Sequence, residues 1–294
     1  MRETFAPELS QRTTIHVGGR AIAELTLENH DDVLRLPERL RALGGTAIVL
    51  GSGSNTLARD GELPLILLRP CFAHGPEIID EEEDRVYVRV GSGVPLSRLL
   101  RFCMVHGLSG LEGLAGIPGS IGGAVAMNAG SHGTQTGEHI HSIDVFTGIS
   151  IRHCCAAELQ FDYRSLRITN IRENFIILDS IFCLTKAVKG DITRAIRHNF
   201  FEKKSKQPVT AWSAGCVFKN PAATLSAGRL LDMAGFKGKK LGGMTFSTKH
   251  ANFLINEGKG TATAALELME QAKNAVHRQF GILLEPEVRI VPCL

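Results

Sequence analysis

Neither sign of charge dominates this chain of 294 residues, in which 33 Lys and Arg face 30 Asp and Glu for a formal net charge of +3. With no Lys/Arg block, the chain offers no electrostatic footprint for nucleic acid. Paired cysteines are missing too. The seven cysteines, at 71, 103, 154, 155, 183, 216 and 293, are odd in number and include no C-x-x-C. Neither metal-site spacing nor a disulfide framework is supported, and a reducing compartment is expected. Long apolar runs are also absent. The longest stretch poor in charge, 107–130, holds Glu112, Pro118 and eight glycines, which disqualifies it as a membrane helix. The opening MRETFAPELSQRTT has no apolar core of the secretory kind, so a cytoplasmic protein is expected, with no membrane insertion and no obligate protein partner evident.

What the chain has in surplus is glycine: 31 residues, above the usual share of about 7%. Apolar content of 44% with 21% charged residues is that of a globular protein, and the length suggests roughly two domains. Sixteen glycines fall between Gly51 and Gly137, whereas 149–214 contains only Gly190. That break predicts a loop-rich, ligand-cradling domain over 1–186 and a more conventional one over 187–294.

Strands are expected at 20–27, at Thr46–Gly51, in the LILL, VYVRVG, SIDVF and SIRHC runs, along NFIILDSIFCL, and over the closing ILLEPEVRIV. Helices are expected over 32–45 despite Pro37, and over 95–107 with Pro95 at the first helical position. Two more are expected over 192–206 and 261–281. Strands and helices without regular alternation argue an α+β class. Glycine at every third position from 107 to 122 imitates collagen, but the run is too short and holds a single proline.

Two glycine-rich turns could carry chemistry. Gly51-Ser-Gly-Ser-Asn-Thr56 follows a short apolar strand and could offer backbone N–H groups to a pyrophosphate. It lacks the third glycine of a dinucleotide fingerprint and the GK[ST] end of a P-loop, and a plain strand-to-loop turn accounts for it equally well. The second, Gly116-Ile-Pro-Gly-Ser-Ile-Gly-Gly-Ala124, runs into Met127-Asn-Ala-Gly130, and 116–130 is free of charge. So much glycine is entropically costly for packing alone, which favours backbone lying against a large flat ligand. His139 and His141 could share a strand face, but no third metal ligand lies near them. Glu81-Glu-Glu-Asp84 reads as a solvated turn, and no G-x-S-x-G elbow exists. Taken singly, Arg164, Cys216 and Glu287 have bland explanations: a surface ion pair, a small core residue and an exposed strand position.

Together, ordered stretches along nearly the whole chain resemble the UDP-N-acetylenolpyruvoylglucosamine reductases, also called UDP-N-acetylmuramate dehydrogenases. They are Ile15-His-Val-Gly-Gly-Arg20, Leu50-Gly-Ser-Gly-Ser-Asn55, Gly107-Leu-Ser-Gly-Leu-Glu-Gly113, 116–124, Met127-Asn-Ala-Gly130 and Tyr163-Arg164. The C-terminal half adds Ser213-Ala-Gly-Cys-Val-Phe-Lys-Asn-Pro221, Lys249-His-Ala-Asn-Phe-Leu-Ile-Asn256 and Glu287-Val-Arg289. The short loop after Asn174 resembles the compact class of the family.

The resemblance implies a two-lobed, non-Rossmann FAD-binding domain of the vanillyl-alcohol-oxidase type, followed by an α+β substrate domain. It implies noncovalent FAD, NADPH as hydride donor, and reduction of an enolpyruvyl UDP-sugar in peptidoglycan synthesis. Gly51, Ser52, Gly53, Ser54, Asn55 and Thr56 would then hold the cofactor, together with Gly116, Ile117, Pro118, Gly119, Ser120, Gly122, Gly123 and Ala124. Arg164 would stabilise charge on the substrate carboxylate, Cys216 would protonate carbon, and Glu287 would assist either step. Asn220 and either Lys204 or Lys206 would contact the sugar nucleotide. The family commonly has serine where Cys216 stands, and serine two places after the arginine where this chain has Ser165 next to it. An oxidase on the same scaffold is the alternative, and a flavin-free nucleotide-sugar binding protein is a third reading.

Overall fold

The computed structural model describes residues 1–172, 174–222 and 224–292. Among them six α-helices form: α1 (His30–Leu43), α2 (Leu96–His106), α3 (Ile121–Ala126), α4 (Lys189–Lys206), α5 (Ala227–Met233) and α6 (Ala262–Phe280). α1 starts where the Asn29 side chain accepts the Asp32 N–H, runs through Pro37, and stops at Gly44. α2 buries Leu96, Leu99, Leu100 and Cys103 as its spacing predicts. Pro95 is its N-cap, one position earlier than expected, with φ −61° and ψ 137°.

α6 buries the apolar stripe that its sequence displays, and left-handed Gly281 ends it. Its first turn is capped twice. The Thr261 side chain accepts the Ala264 N–H at 3.1 Å, and the Asp60 carboxylate accepts the N–H groups of Ala262 and Thr263 at 3.0 and 2.7 Å. A carboxylate at a helix N-terminus satisfies orphan donors and complements the dipole. Partial burial pushes the Asp60 pKa up, but the bonds from the Thr263 hydroxyl and the two amides outweigh it, and the net shift is downward. Asp60→Ala is expected to cost about 1 kcal/mol of stability at pH 7, the usual value of a lost N-cap. A group with a depressed folded pKa stabilises above its unfolded pKa, near 3.9 for Asp, and loses that contribution as pH falls through the lower folded value. The gap between wild-type and variant midpoints in urea therefore closes at acid pH; a gap constant with pH would contradict the assignment.

The chain forms two compact units, each assembled from three stretches. Unit 1 is Met1–Thr4, Glu24–Gly51 and Ile66–Lys203. Its main sheet has six antiparallel strands. Ile151–Cys155, Ile140–Phe146, Ile176–Lys186, Arg85–Gly91 and Glu77–Glu82 lie in that order, and Leu108–Ser109 pairs the end of Ile176–Lys186. Alternation along these strands puts Val86, Val88, Val90, Phe182 and Leu184 into one core with α2 and α3. Leu178, Ile176 and Phe146 enter a second core with Val33 and Leu36 of α1. Glu83 and Asp84 form the solvated turn predicted for the acidic run.

Unit 2 is Phe5–Ala23, Ser52–Leu65 and the described residues from Lys204 onward. It contains the antiparallel sheet Ser213–Cys216, Phe253–Asn256, Met244–Phe246 and Lys240–Leu241, backed by α5 and α6 around a single core. Strands Arg20–Leu27 and Glu62–Pro70 begin in unit 2 and end in unit 1.

The closing strand is shorter than its sequence predicts. Only Arg289–Val291 is extended and paired, in parallel with Thr56–Ala58. Upstream, Pro286 has no N–H to offer a ladder and makes only an isolated bridge with Phe218. The period-three glycine run is not a repeat either, since it spans the end of α2, a 3-10 turn at Glu112–Leu114 and the start of α3. Six cysteines among the described residues are free, and Cys293 lies outside those residues. No described helix is long and apolar enough to cross a membrane.

Candidate active site

Within unit 1 the two glycine-rich segments meet. A Cβ placed on Gly51 would lie 2.7 Å from the Ser120 hydroxyl. Segment 116–124 is held from behind: the N–H groups of Ile121 and Gly122 donate to the carbonyls of Val94 and Ser92, both at 2.9 Å. Ser120 caps α3 by accepting the Gly123 N–H at 3.4 Å. On Gly122 a Cβ would come within 2.9 Å of Ser92 Cβ, and the buried Ser92 hydroxyl has no hydrogen-bond partner. An unmet buried hydroxyl costs about 1–3 kcal/mol. A tight, side-chain-poor cradle of this kind, in which a Cβ at Gly51 or Gly122 would collide with a neighbour, fits close approach of backbone to a flat ligand.

Arg164 belongs to the same unit. Strands Leu159–Asp162 and Ser165–Ile168 pair antiparallel with Asp162 opposite Ser165, so Tyr163-Arg164 is a two-residue loop. Arg164 is its second residue and has φ 58°. Left-handed backbone costs roughly 1–2 kcal/mol for an L side chain, and glycine or asparagine normally occupies such positions. The guanidinium lies 5.1 Å from the centre of the exposed Tyr163 ring, which steadies a long side chain at the loop tip. Ser165 closes the ladder.

Unit 2 carries the rest of turn 51–56. Gly53 is buried with φ 66°, and a Cβ there would lie 2.1 Å from the Arg12 carbonyl oxygen. Two carbonyls of the turn are occupied: Gly53 O accepts from Thr14 N at 3.2 Å and Asn55 O from Arg289 N at 3.0 Å. Asn55 Nδ2 donates to the Glu287 carbonyl at 3.2 Å, which straps the C-terminal segment to the turn.

Cys216 and Glu287 are brought together in this unit. Strand Ser213–Cys216 pairs with Phe253–Asn256, but its register slips between Ser213 and Cys216, where Gly215 has φ 77°. A bulge re-aims the residue that follows it, here half-buried Cys216. Immediately beyond, Val217 O accepts the Glu287 N–H at 2.8 Å. Buried Asn252 then locks this edge, accepting from Phe218 N at 3.0 Å and donating to Phe218 O at 2.8 Å.

The other expected site residues are more open. Lys204 and Lys206 are exposed in the last turn of α4. The Lys204 carbonyl accepts from the Lys249 ammonium. Asn220 Oδ1 accepts the Ala227 N–H at 3.0 Å, so its NH2 group is the end that could serve a ligand. His139 packs on Gly110 and is held below the ordinary histidine pKa by burial, with Glu138 and Glu112 opposing. His141 instead meets the edge of Tyr87 at 4.8 Å. The two imidazoles serve different neighbours, and the described residues contain no cluster of three metal-ligating side chains.

Residues 207–291 match the family described as UDP-N-acetylenolpyruvoylglucosamine reductase, C-terminal domain, and residues 21–149 match the FAD binding domain family. The UDP-N-acetylenolpyruvoylglucosamine reductase of Nitratidesulfovibrio vulgaris is 45% identical over 289 residues, covering 98% of both chains. The chain belongs to the UDP-N-acetylenolpyruvoylglucosamine reductase family. The same-named protein of Oleidesulfovibrio alaskensis is 46% identical, covering 97% of each chain. A crystal structure of the Thermus caldophilus UDP-N-acetylenolpyruvylglucosamine reductase superposes with a TM-score of 0.79 at 32% identity, covering 99% of this chain and 98% of that one. Both glycine-rich segments fall in the FAD-binding stretch, while Cys216, Asn220 and Glu287 fall in the C-terminal one. Arg164 lies between the two matched stretches.

Three residues joined the site only through geometry. Asn128 and Asn252 sit inside quoted family stretches, but nothing local shows their bonds to Asp162 and Phe218, each 34 residues away. Ser92, at a strand end, carries no signal at all. Gly53 offers a direct test of the turn, because neither its left-handed φ nor the Arg12 carbonyl can accommodate a side chain. Gly53→Ala is expected to purify with little or no bound flavin, read as the ratio of visible to 280 nm absorbance. Wild-type occupancy would remove turn 51–56 from the cofactor site.

Proposed function

We propose that this chain is an NADPH-dependent flavoprotein that reduces UDP-N-acetyl-enolpyruvylglucosamine to UDP-N-acetylmuramate, a step of peptidoglycan synthesis. The observation carrying the reading is near-full-length identity of 45% to a reductase of that name, on a chain whose two glycine-rich segments abut at Gly51 and Ser120. Residues 1–186 would hold FAD and 187–294 the UDP-sugar, a division supported by the order of the two family stretches. Both substrates are nucleotides of the cytoplasm, where we place the reaction.

When bound, FAD supplies the two-electron relay between NADPH and the methylene carbon of the enolpyruvyl group. Segments 51–56 and 116–124 would hold it through backbone amides and the Ser120 hydroxyl. Hydride addition to the methylene carbon breaks the C=C π bond and sends its electron pair toward the carboxylate. Arg164, a planar and permanently charged donor, stabilises that developing charge. The carbon bearing the ether oxygen then takes a proton from the Cys216 thiol, completing the lactyl ether. Glu287, tied to the same backbone edge, assists the charge stabilisation or the return of a proton to sulfur. Asn220 and one of Lys204 and Lys206 bind the sugar nucleotide.

The test is NADPH oxidation in the presence and absence of the enolpyruvyl UDP-sugar, with dissolved oxygen followed in parallel. Substrate-dependent NADPH loss without oxygen uptake is expected. Oxygen uptake independent of the sugar would favour an oxidase on the same scaffold.

A further inference from the structure

Asn128 lies in the charge-free stretch after α3, is 3% exposed, and has φ 40°. Its carboxamide is bonded at both ends. Nδ2 donates to Gln135 Oε1 at 2.8 Å and to the main-chain oxygen of Asp162 at 3.1 Å, and Oδ1 accepts the Gly137 N–H at 2.9 Å. Asp162 is the last residue of its strand before the Tyr163-Arg164 loop. The hairpin also has apolar ties to the body of unit 1: Phe161, Leu166 and Ile168 pack on the core, and Gly137 leaves the Phe161 ring room to lie against its backbone. Apolar contacts fix how deep a two-stranded hairpin sits but are non-directional. The exposed Asp162–Arg167 ion pair joins one strand of the hairpin to the other and does not reach the core. A hydrogen bond from buried Asn128 to the carbonyl two residues before Arg164 is directional and ties the hairpin's orientation to that side chain.

We propose that Asn128 is the positioning residue for Arg164: by gripping the Asp162 carbonyl it sets the loop orientation from which the guanidinium meets the substrate carboxylate. The proposal rests on the reading of Arg164 as the group that stabilises charge on that carboxylate. Left-handed backbone at both Asn128 and Arg164 fits the same picture, since sparsely populated φ values persist where the surroundings over-determine them. Removing the grip lets the loop relax toward an easier backbone, and the guanidinium moves with it. A misplacement of about 1 Å at a reacting group can cost roughly a hundredfold in rate.

The experiment uses the full-length holoprotein and measures two steps separately, flavin reduction by NADPH and reoxidation by the enolpyruvyl UDP-sugar under anaerobic conditions. Asn128→Asp keeps an oxygen for the Gly137 N–H but loses both donated bonds. Its reoxidation step is expected to slow about a hundredfold, while flavin content and the NADPH step stay at wild-type values. Gln135→Ala, which leaves the Asp162 bond in place, is expected to behave as wild type. In an Arg164→Ala background the Asn128→Asp change is expected to have no further effect, as required of residues acting as one unit. If Asn128→Asp does not fold, Asn128→Ser, too short to reach Asp162, is read the same way. The proposal is overturned by wild-type reoxidation in these variants, by equal slowing of the NADPH step, or by full additivity with Arg164→Ala. Wild-type reoxidation in Arg164→Ala itself would instead remove the reading on which the proposal rests.

Discussion

Replacing Arg164 by alanine is expected to slow substrate-dependent reoxidation of the flavin about 10²–10³-fold, the usual consequence of removing one preorganised donor from a developing anion. The NADPH step, in which the enolpyruvyl carboxylate takes no part, is expected to be untouched. Arg164→Lys retains charge but not the planar two-pronged geometry, so it should fall between wild type and alanine. Glycine at the same position separates function from fold. Arg164 holds φ 58° in a two-residue loop, a conformation glycine adopts without penalty. Arg164→Gly should therefore lose activity as alanine does, yet melt no lower than the wild type. A variant that melted well below wild type would mean that the arginine was serving the hairpin rather than the substrate. Thermal denaturation monitored beside the two half-reactions distinguishes these outcomes.

The second large effect concerns Cys216. Cys216→Ala removes the proposed proton donor and is expected to lower turnover about 10²–10⁴-fold while flavin stays bound. Cys216→Ser should retain most of the activity, because a hydroxyl can occupy the same bulge and the family commonly places serine there. Alkylation should abolish turnover in a chain whose exposed Cys155 has first been replaced. A thiol also ionises and oxidises where a hydroxyl does not. Wild-type activity should thus fall on peroxide treatment, with Cys216→Ser protected. Full turnover in Cys216→Ala would remove the residue from the reaction.

Much of this architecture is legible where the signal is local. The stripe of Ala265, Leu268, Met269, Ala272 and Val276 identifies α6, and Thr261 and Gly281 mark its ends. Arg20–Leu27 and Ile176–Lys186 are equally plain as strands. Elements set by distant partners are not. α3 hides inside a glycine-rich stretch because Gly122 and Gly123 have poor helix propensity, and it forms since Val94 and Ser92 accept its first amides. The end of the chain reads as a ten-residue strand, but its partner Thr56–Ala58 is more than two hundred residues away and reaches only Arg289–Val291.

The site divides in the same way. Arg164, Cys216 and Glu287 are unremarkable singly and acquire roles through the order of whole motifs. The hydrogen bond that joins Glu287 to the residue after Cys216, and the carboxamide that grips the Arg164 hairpin, exist only in three dimensions. Glycine count alone signalled loops. Its contribution to the site is particular, at Gly53 against the Arg12 carbonyl and at Gly215 in the bulge before the thiol.

The central claim is tested most directly by an anaerobic absorbance experiment on the purified chain. The account predicts a yellow protein with a flavin spectrum, bleached by NADPH and restored stoichiometrically by the enolpyruvyl UDP-sugar. A colourless protein, or a bleached flavin that the sugar leaves reduced, would contradict it.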